Sequence, residues 1–430
     1  PEITILSKIH NQRGVNMQNQ DTKLITPVLL ASSIILMIGF GIRASYGVFQ
    51  IPIADQFAWA RTEFSMAIAI QNLAWGIGQP IFGAIAEKIG DRKAILIGIF
   101  CYAIGLIFSS YAITPGAHQF YSFFVGFGVA GTGFGVILAI VGRATSDANR
   151  SMALGIATAV GSVGQIIGPP TAEFLLRYFN WSVVFLIFAG IIISTIAFLP
   201  VLRAPSKDAK HDLEETLGQI LKKAFYDPSF TLIFLGFFSC GFQLAFITAH
   251  FPAFVTEMCG AIATDGLLAG IGVKNASALG AFSIALIGAA NIVGTITAGY
   301  FGKHYKKKNL LAIVYTGRTL IAVIFIMVPM TPLTVVTFSI TMGLLWLATV
   351  PLTSGLVGYI YGLRYMGTLY GIVFFSHQLG SFLGVWLGGA LYDAYGNYNI
   401  VWWVGIAVGA FSAIVHMPIR EIPLGKRINA

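Results

Sequence analysis

Two side chains carry chemistry where a chain this apolar should carry none. Arg43 follows an apolar run that begins near Leu24, and His377 lies inside the apolar stretch 366–391. A cation held deep in a membrane costs about 3 kcal/mol on insertion scales, so such a residue marks ion or substrate handling, or else reaches for the surface along its own stem. Arg43 is read first as the partner of a carboxylate through a charge-assisted hydrogen bond, and second as a snorkelling cation. At about 1.5 Å per residue, His377 falls near the midplane of its stretch. There an imidazole can take a proton or donate to an anion; the alternative is a polar group packed between helices.

Weaker candidates surround these two. Tyr46, Asn72, Trp75, Gln165, Asn291, Ser376, Gln378 and Ser381 are polar or amphipathic groups inside apolar runs. Each competes with an ordinary interhelical hydrogen bond, worth about 0.6 kcal/mol in membranes. Arg318 lies about 12 Å from the inner end of its run, at about 1.5 Å per residue, and is read as structural or snorkelling. Acids are informative by position: Glu173, Asp227 and Glu257 sit at the ends of runs, and none lies in the middle of one. No Walker loop, nucleophile–base signature or metal-ligand cluster occurs, so no ATP motor, enzyme, cofactor or metal is expected.

The elements that position these residues follow from composition. Of 430 residues, 56% are hydrophobic and 10% charged, and the mean hydropathy is +0.80. Soluble domains carry roughly 25% charge, and no single core could bury this much apolar surface. Lipid can, at about 20 residues per helix. Apolar runs predict twelve spans: 25–53, 63–85, 94–113, 119–142, 152–176, 182–201, 228–256, 275–302, 310–330, 333–361, 366–391 and 399–418. The three cysteines, Cys101, Cys240 and Cys259, offer no disulfide framework. Residues 1–24 lack the apolar core and small-residue site of a cleavable signal, and Met17 is a candidate start.

Net charge is +9, and its distribution sets orientation rather than suggesting nucleic acid. Of the 26 Lys and Arg, only Arg61, Arg177 and Lys274 fall in the segments predicted to be outside, while Arg43 and Arg318 lie within spans. All others fall on the side of the termini, which places both termini in the cytoplasm. The expected organisation is a cytoplasmic segment 1–24, a six-helix half 25–201, a cytoplasmic linker 202–227 with a short surface helix, a second half 228–418, and a tail 419–430.

The two halves repeat. Gly78, Gly83, Gly155, Gly164 and Gly168 match Gly294, Gly299, Gly371, Gly380 and Gly384, all on one offset. Helix 1 aligns with helix 7 on a shorter offset, Pro52 with Pro252, which pairs Arg43 with Gln243 and Gln50 with His250. Small residues at such spacing let helices approach closely. Paired halves of this kind hold substrate near the midplane between them.

The loop after helix 2 reads Gly83-Ala-Ile-Ala-Glu87-Lys88-Ile-Gly90-Asp91-Arg92-Lys93. It resembles the loop signature of the major facilitator superfamily: a glycine, an acid–base pair, a glycine and a basic cluster. Gly83, Glu87, Lys88, Gly90 and Arg92 are then an inner-face latch, in which the acid caps a neighbouring helix N-terminus and pairs with bases. Glu87 stands for the family's usual Asp, and Asp91 for a usual base. Two further segments resemble monocarboxylate transporters and the bacterial oxalate/formate branch: Arg150-Ser-Met-Ala153-Leu-Gly155-Ile-Ala157 in helix 5, and Asp393-Ala-Tyr395-Gly396-Asn-Tyr398 after helix 11. On that resemblance Arg43 takes the place of a helix 1 lysine and Trp75 that of a substrate-site tyrosine. The family's helix 8 Asp and Arg fall on Asn291 and Thr295, so the usual anion-binding arginine is missing. Helix 5 also carries Gly164-Gln-Ile-Ile-Gly168-Pro169, part of a motif of proton-linked drug exporters.

The expected fold is therefore an all-α membrane protein of twelve helices in two pseudo-symmetric halves, the major facilitator fold. The expected function is secondary transport of a small organic anion, proton-coupled or by anion exchange, in a bacterial inner membrane and as a monomer. Export or import of a larger amphipathic compound is the alternative. The expected substrate site is Arg43, Tyr46, Asn72, Trp75, Gln165, Gln243, Asn291, His377 and Ser381, with His377 and His250 serving proton coupling or gating.

Overall fold

The computed structural model describes residues 24–59, 61–202, 216–263 and 265–427. The first 23 residues, most of the linker and the last three lie outside the described residues. Span 1 is Pro27–Ala44, continued by a 3-10 turn, Ser45–Phe49, and a helix, Gln50–Phe57. Spans 2 and 3 are Arg61–Ile89 and Asp91–Ser109. Span 4 is Pro115–Thr132 followed by Phe134–Ala144. Span 5 is Arg150–Leu176, and span 6 is Trp181–Ser194 with a 3-10 turn, Thr195–Val201. Spans 7, 8 and 9 are Pro228–Met258, Ala276–His304 and Lys307–Met327. Span 10 is Pro332–Leu345 followed by Thr349–Tyr361; spans 11 and 12 are Met366–Tyr395 and Asn399–His416. Eleven of the twelve are long and apolar enough to cross a membrane by composition alone; Arg61–Ile89, with charged residues at both ends, completes the order.

Local sequence explains where the helices begin. Thr26, Thr114 and Thr331 cap spans 1, 4 and 10 through their hydroxyls, each followed by proline in the first turn. Asn180, Asp227 and Asn275 cap spans 6, 7 and 8 in the same way. Such caps satisfy otherwise orphaned amides, and proline fits a first turn whose N–H has no helical partner. Of the linker, residues 216–227 are described. Helix Leu217–Tyr226 is amphipathic, closed by a capping box between Thr216 and Gln219.

The repeated glycines sort into two kinds of contact. Within the first half, a Cβ on Gly164 would lie 1.9 Å from the Met37 carbonyl oxygen of span 1. Gly380 meets span 7 in the same manner, 2.1 Å from the Phe238 carbonyl oxygen. The other kind joins the halves. A Cβ on Gly83 would lie 2.3 Å from the Gly367 carbonyl carbon, and one on Gly155 would lie 2.7 Å from the Thr295 oxygen. Spans 2 and 11, and spans 5 and 8, are thereby packed backbone to backbone at the face of the bundle that bears the tail. One glycine pattern thus serves twice, once to build each half and once to close the halves on each other.

Candidate functional site

Arg43 stands in the last turn of helix Pro27–Ala44. Its guanidinium donates to the Asn72 side-chain oxygen on span 2 and lies over the Trp75 ring, 4.7 Å from the centroid. No carboxylate pairs with Arg43 among the described residues. Asn72 and Trp75 are one helical turn apart, so one face of span 2 holds both the hydrogen-bond acceptor and the aromatic face for this cation.

Trp75 also reaches across the molecule. Its ring lies 4.8 Å from Phe374 on span 11, and 5.5 Å from Phe40 on its own side. Phe374 stacks on His377, at 5.0 Å and 11°. Phe237 on span 7 covers the imidazole at 5.1 Å. Both ring nitrogens of His377 are buried without a hydrogen-bond partner. A cation of the first half and an imidazole of the second are thus joined through two aromatic rings, and each carries polar capacity the protein leaves unused.

Other expected site residues are placed differently. Tyr46 packs into the first half against Phe49 and Phe185, at 6.4 and 5.4 Å. Gln243 does not face the centre beside Arg43, since its amide donates to the Gly405 carbonyl of span 12 at 3.0 Å. Its neighbours there are small glycines that admit the long side chain. Ser381 donates back to the His377 carbonyl on its own helix at 3.0 Å, and Ser376 to Phe234 at 2.6 Å. Asn291 is engaged at both ends of its amide: the nitrogen donates to the Ser162 hydroxyl and the oxygen accepts from the Leu347 N–H, each at 2.8 Å. Gln165 is half-buried on span 5, and Gln378 is buried against Gly76. His250 bonds the Val385 carbonyl at 3.0 Å and packs beside Phe246 and Tyr398, between spans 7, 11 and 12.

The residues expected to form the latch are placed with mixed partners. Glu87 accepts from the Thr368 backbone N–H at 3.0 Å and from its hydroxyl, so an acid of span 2 caps the start of span 11. The bases go elsewhere. Arg92 donates to the Pro200 and Leu202 carbonyls at the end of span 6, at 2.8 and 3.3 Å. Lys88 is exposed, and Gly90 takes a positive φ of 98° before span 3. Asp91, at a position where the family has a base, pairs with Arg143 at 2.5 Å.

Arg318 is wholly buried, donating to the Leu345 and Trp346 carbonyls where span 10 is interrupted. Of the two readings, structural or snorkelling, burial excludes the second, and a cation favours a helix C-terminus such as that of Pro332–Leu345. The residues missed from sequence are Gln79, Phe237, Phe374 and Ser162. Gln79 could have been found: it follows Trp75 by one turn and pairs with Thr295 on the repeat offset. Its amide accepts from Trp75 at 2.7 Å and donates to Ala130 at 3.1 Å.

Comparison with known proteins agrees with this architecture. The family model for the Major Facilitator Superfamily matches residues 31–385. The chain is 25% identical over 393 residues to the uncharacterized MFS-type transporter YcxA of Bacillus subtilis, covering 87% of this chain and 90% of that protein. It is 24% identical over 378 residues to monocarboxylate transporter 13 of the rat, covering 86% and 82%. Among solved structures, the fucose transporter FucP in its outward conformation superposes with a TM-score of 0.69 at 16% identity, covering 91% of this chain and 98% of that one. The proton:xylose symporter XylE does so at 0.69 and 14%, covering 94% and 98%. Those structures share the fold, and the family match covers most of the sequence. The chain belongs to the major facilitator superfamily and is a membrane transporter, not an enzyme.

Proposed function

We propose that this chain is a secondary transporter of a small organic anion, a mono- or polycarboxylate, coupled to protons or to a counter-anion. The observation that carries this reading is Arg43: a cation inside a span, held by Asn72 and Trp75, with no carboxylate partner among the described residues. A substrate carboxylate supplies the missing charge through a charge-assisted hydrogen bond. His377 serves as second ligand or proton site, and Trp75 and Phe374 form the apolar wall between. The relatives named as monocarboxylate transporters favour the same class.

The chain lies in a bacterial cytoplasmic membrane as a monomer, its termini and linker 202–227 inside. The Lys and Arg distribution supports this orientation. His250 is a candidate gate residue between spans 7, 11 and 12.

Purified protein in liposomes tests the reading. Uptake of labelled mono- and dicarboxylates driven by an inward proton gradient or an internal counter-anion is the expected result. Absence of carboxylate uptake, together with extrusion of cationic dyes, overturns it in favour of transport of a larger amphipathic compound.

A further inference from the structure

Span 10 is interrupted between Pro332–Leu345 and Thr349–Tyr361. An interruption inside an apolar span exposes backbone groups that lipid cannot satisfy, so protein must do so. Here side chains take three of them. Arg318 takes the Leu345 and Trp346 carbonyls, and Asn291 takes the Leu347 N–H at 2.8 Å. The other end of the same Asn291 amide donates to the Ser162 hydroxyl at 2.8 Å, and Ser162 belongs to span 5 of the opposite half. Asn291 is 1% exposed, so no water stands ready to replace either partner.

The repeat gives the first half a counterpart. Trp75 and Gln79 occupy the positions equivalent to Asn291 and Thr295, and span 4 is also interrupted, at Gly133. Gln79 donates to the Ala130 carbonyl beside that break, and Trp75 touches Phe374 of the opposite half. In the second half one residue, Asn291, both touches the other half and secures the broken neighbour; in the first half Trp75 makes the contact, Gln79 secures the break, and Trp75 donates to Gln79 at 2.7 Å. The first half uses a ring contact, which tolerates sliding. The second uses a hydrogen bond, which does not.

We propose that Asn291 is a positioning residue for transport: it holds the interrupted turn of span 10 in this shape only while spans 5 and 8 are closed on each other. A primary amide carries its acceptor and donors on one rigid plane. When span 5 withdraws and Ser162 leaves, the Asn291 N–H group cannot turn to a new acceptor without taking the oxygen off Leu347. Separation of the halves is thereby converted into a change in span 10. The inference rests on the chain being a transporter whose halves separate, not on which substrate it carries.

Hydrogen exchange of the full-length protein in lipid nanodiscs, followed over peptides spanning 342–352, tests this without any substrate. Ser162→Ala removes the acceptor without altering any residue of span 10. It should speed exchange in that peptide roughly threefold, as expected for one hydrogen bond within a membrane. Ser162→Thr keeps the hydroxyl and should restore the original rate. Asn291→Ala should exceed Ser162→Ala, and the double variant should equal Asn291→Ala alone. Unchanged exchange in Ser162→Ala overturns the proposal, because Asn291 then merely caps a turn. So does an increase that Ser162→Thr fails to reverse, or an additive double variant. Should Asn291→Ala not fold, the two Ser162 variants decide the matter.

Discussion

Trp75 and Phe374 meet ring to ring across the boundary between the halves, their centroids 4.8 Å apart. Behind Trp75 lies Arg43, and behind Phe374 lies His377. The two groups suited to an anion are therefore positioned by the same contact that joins the halves, and an occupant touching both would also feel any movement at that boundary.

Arg43→Ala should lower organic-anion uptake by tenfold to hundredfold, the range for a lost charge-assisted hydrogen bond of about 1.5–3 kcal/mol. The protein should still elute as a folded, monodisperse species. Normal uptake by that well-folded variant would show that Arg43 is not the substrate's partner.

His377→Phe keeps an aromatic ring against Phe374 and Phe237 while removing both nitrogens. Uptake should drop about tenfold with little change in melting temperature, because packing is conserved and only polar capacity is lost. Undiminished uptake with this variant would leave His377 a packing residue.

Glu87→Ala removes an acid from the start of span 11. Loss of a charged cap costs about 1–2 kcal/mol, so the closed arrangement should lose at least fivefold in population. Spin labels on the exposed positions Lys88 and Arg364, in a background with Cys101, Cys240 and Cys259 replaced, should report a longer distance component. An unchanged distance distribution would mean that the glycine contacts and the remaining hydrogen bonds hold this face shut without Glu87.

Gly83→Ala places a Cβ where the Gly367 backbone already stands, 2.3 Å away. Overpacking of this kind costs about 1–3 kcal/mol. The same label pair should shift toward separation by roughly tenfold. Gly190→Ala is the control, since a Cβ there meets nothing within 4 Å.

Arg318→Leu should lower the melting temperature markedly while sparing substrate affinity in the protein that folds. Two carbonyls of the interrupted turn lose their donor, at about 1–3 kcal/mol each. A stable variant that no longer binds substrate would instead move Arg318 into the binding site.

The twelve spans and the repeated packing glycines were legible because each depends on local pattern: apolar length, cap residues and spacing. Arg43 was legible because burying a guanidinium is costly wherever it occurs. The breaks in spans 4 and 10 were not. Trp346-Leu-Ala348 is as apolar as its surroundings, and runs 119–142 and 333–361 therefore read as unbroken helices. What stabilises the span 10 break sits on spans 8 and 9, at Asn291 and Arg318, far away in sequence. For the same reason Gln243 looked like the symmetric partner of Arg43, whereas glycines on span 12 draw it into its own half. Symmetry of scaffold predicts where a residue stands, but neighbours on the other helices decide which way it faces.

Among the described residues, the face closed by Gly83 and Gly155 has no ion pair bridging the halves. Its attraction comes from backbone contact and a few hydrogen bonds, such as Thr368 to Glu87 and Asn291 to Ser162. Dispersion contacts forfeit a quarter to a half of their strength over a gap of about 0.5–1 Å. Such a seal has almost no reach. It does not pull on a partly separated neighbour as paired opposite charges would. The molecule should snap between shut and parted, with ajar arrangements scarcely populated.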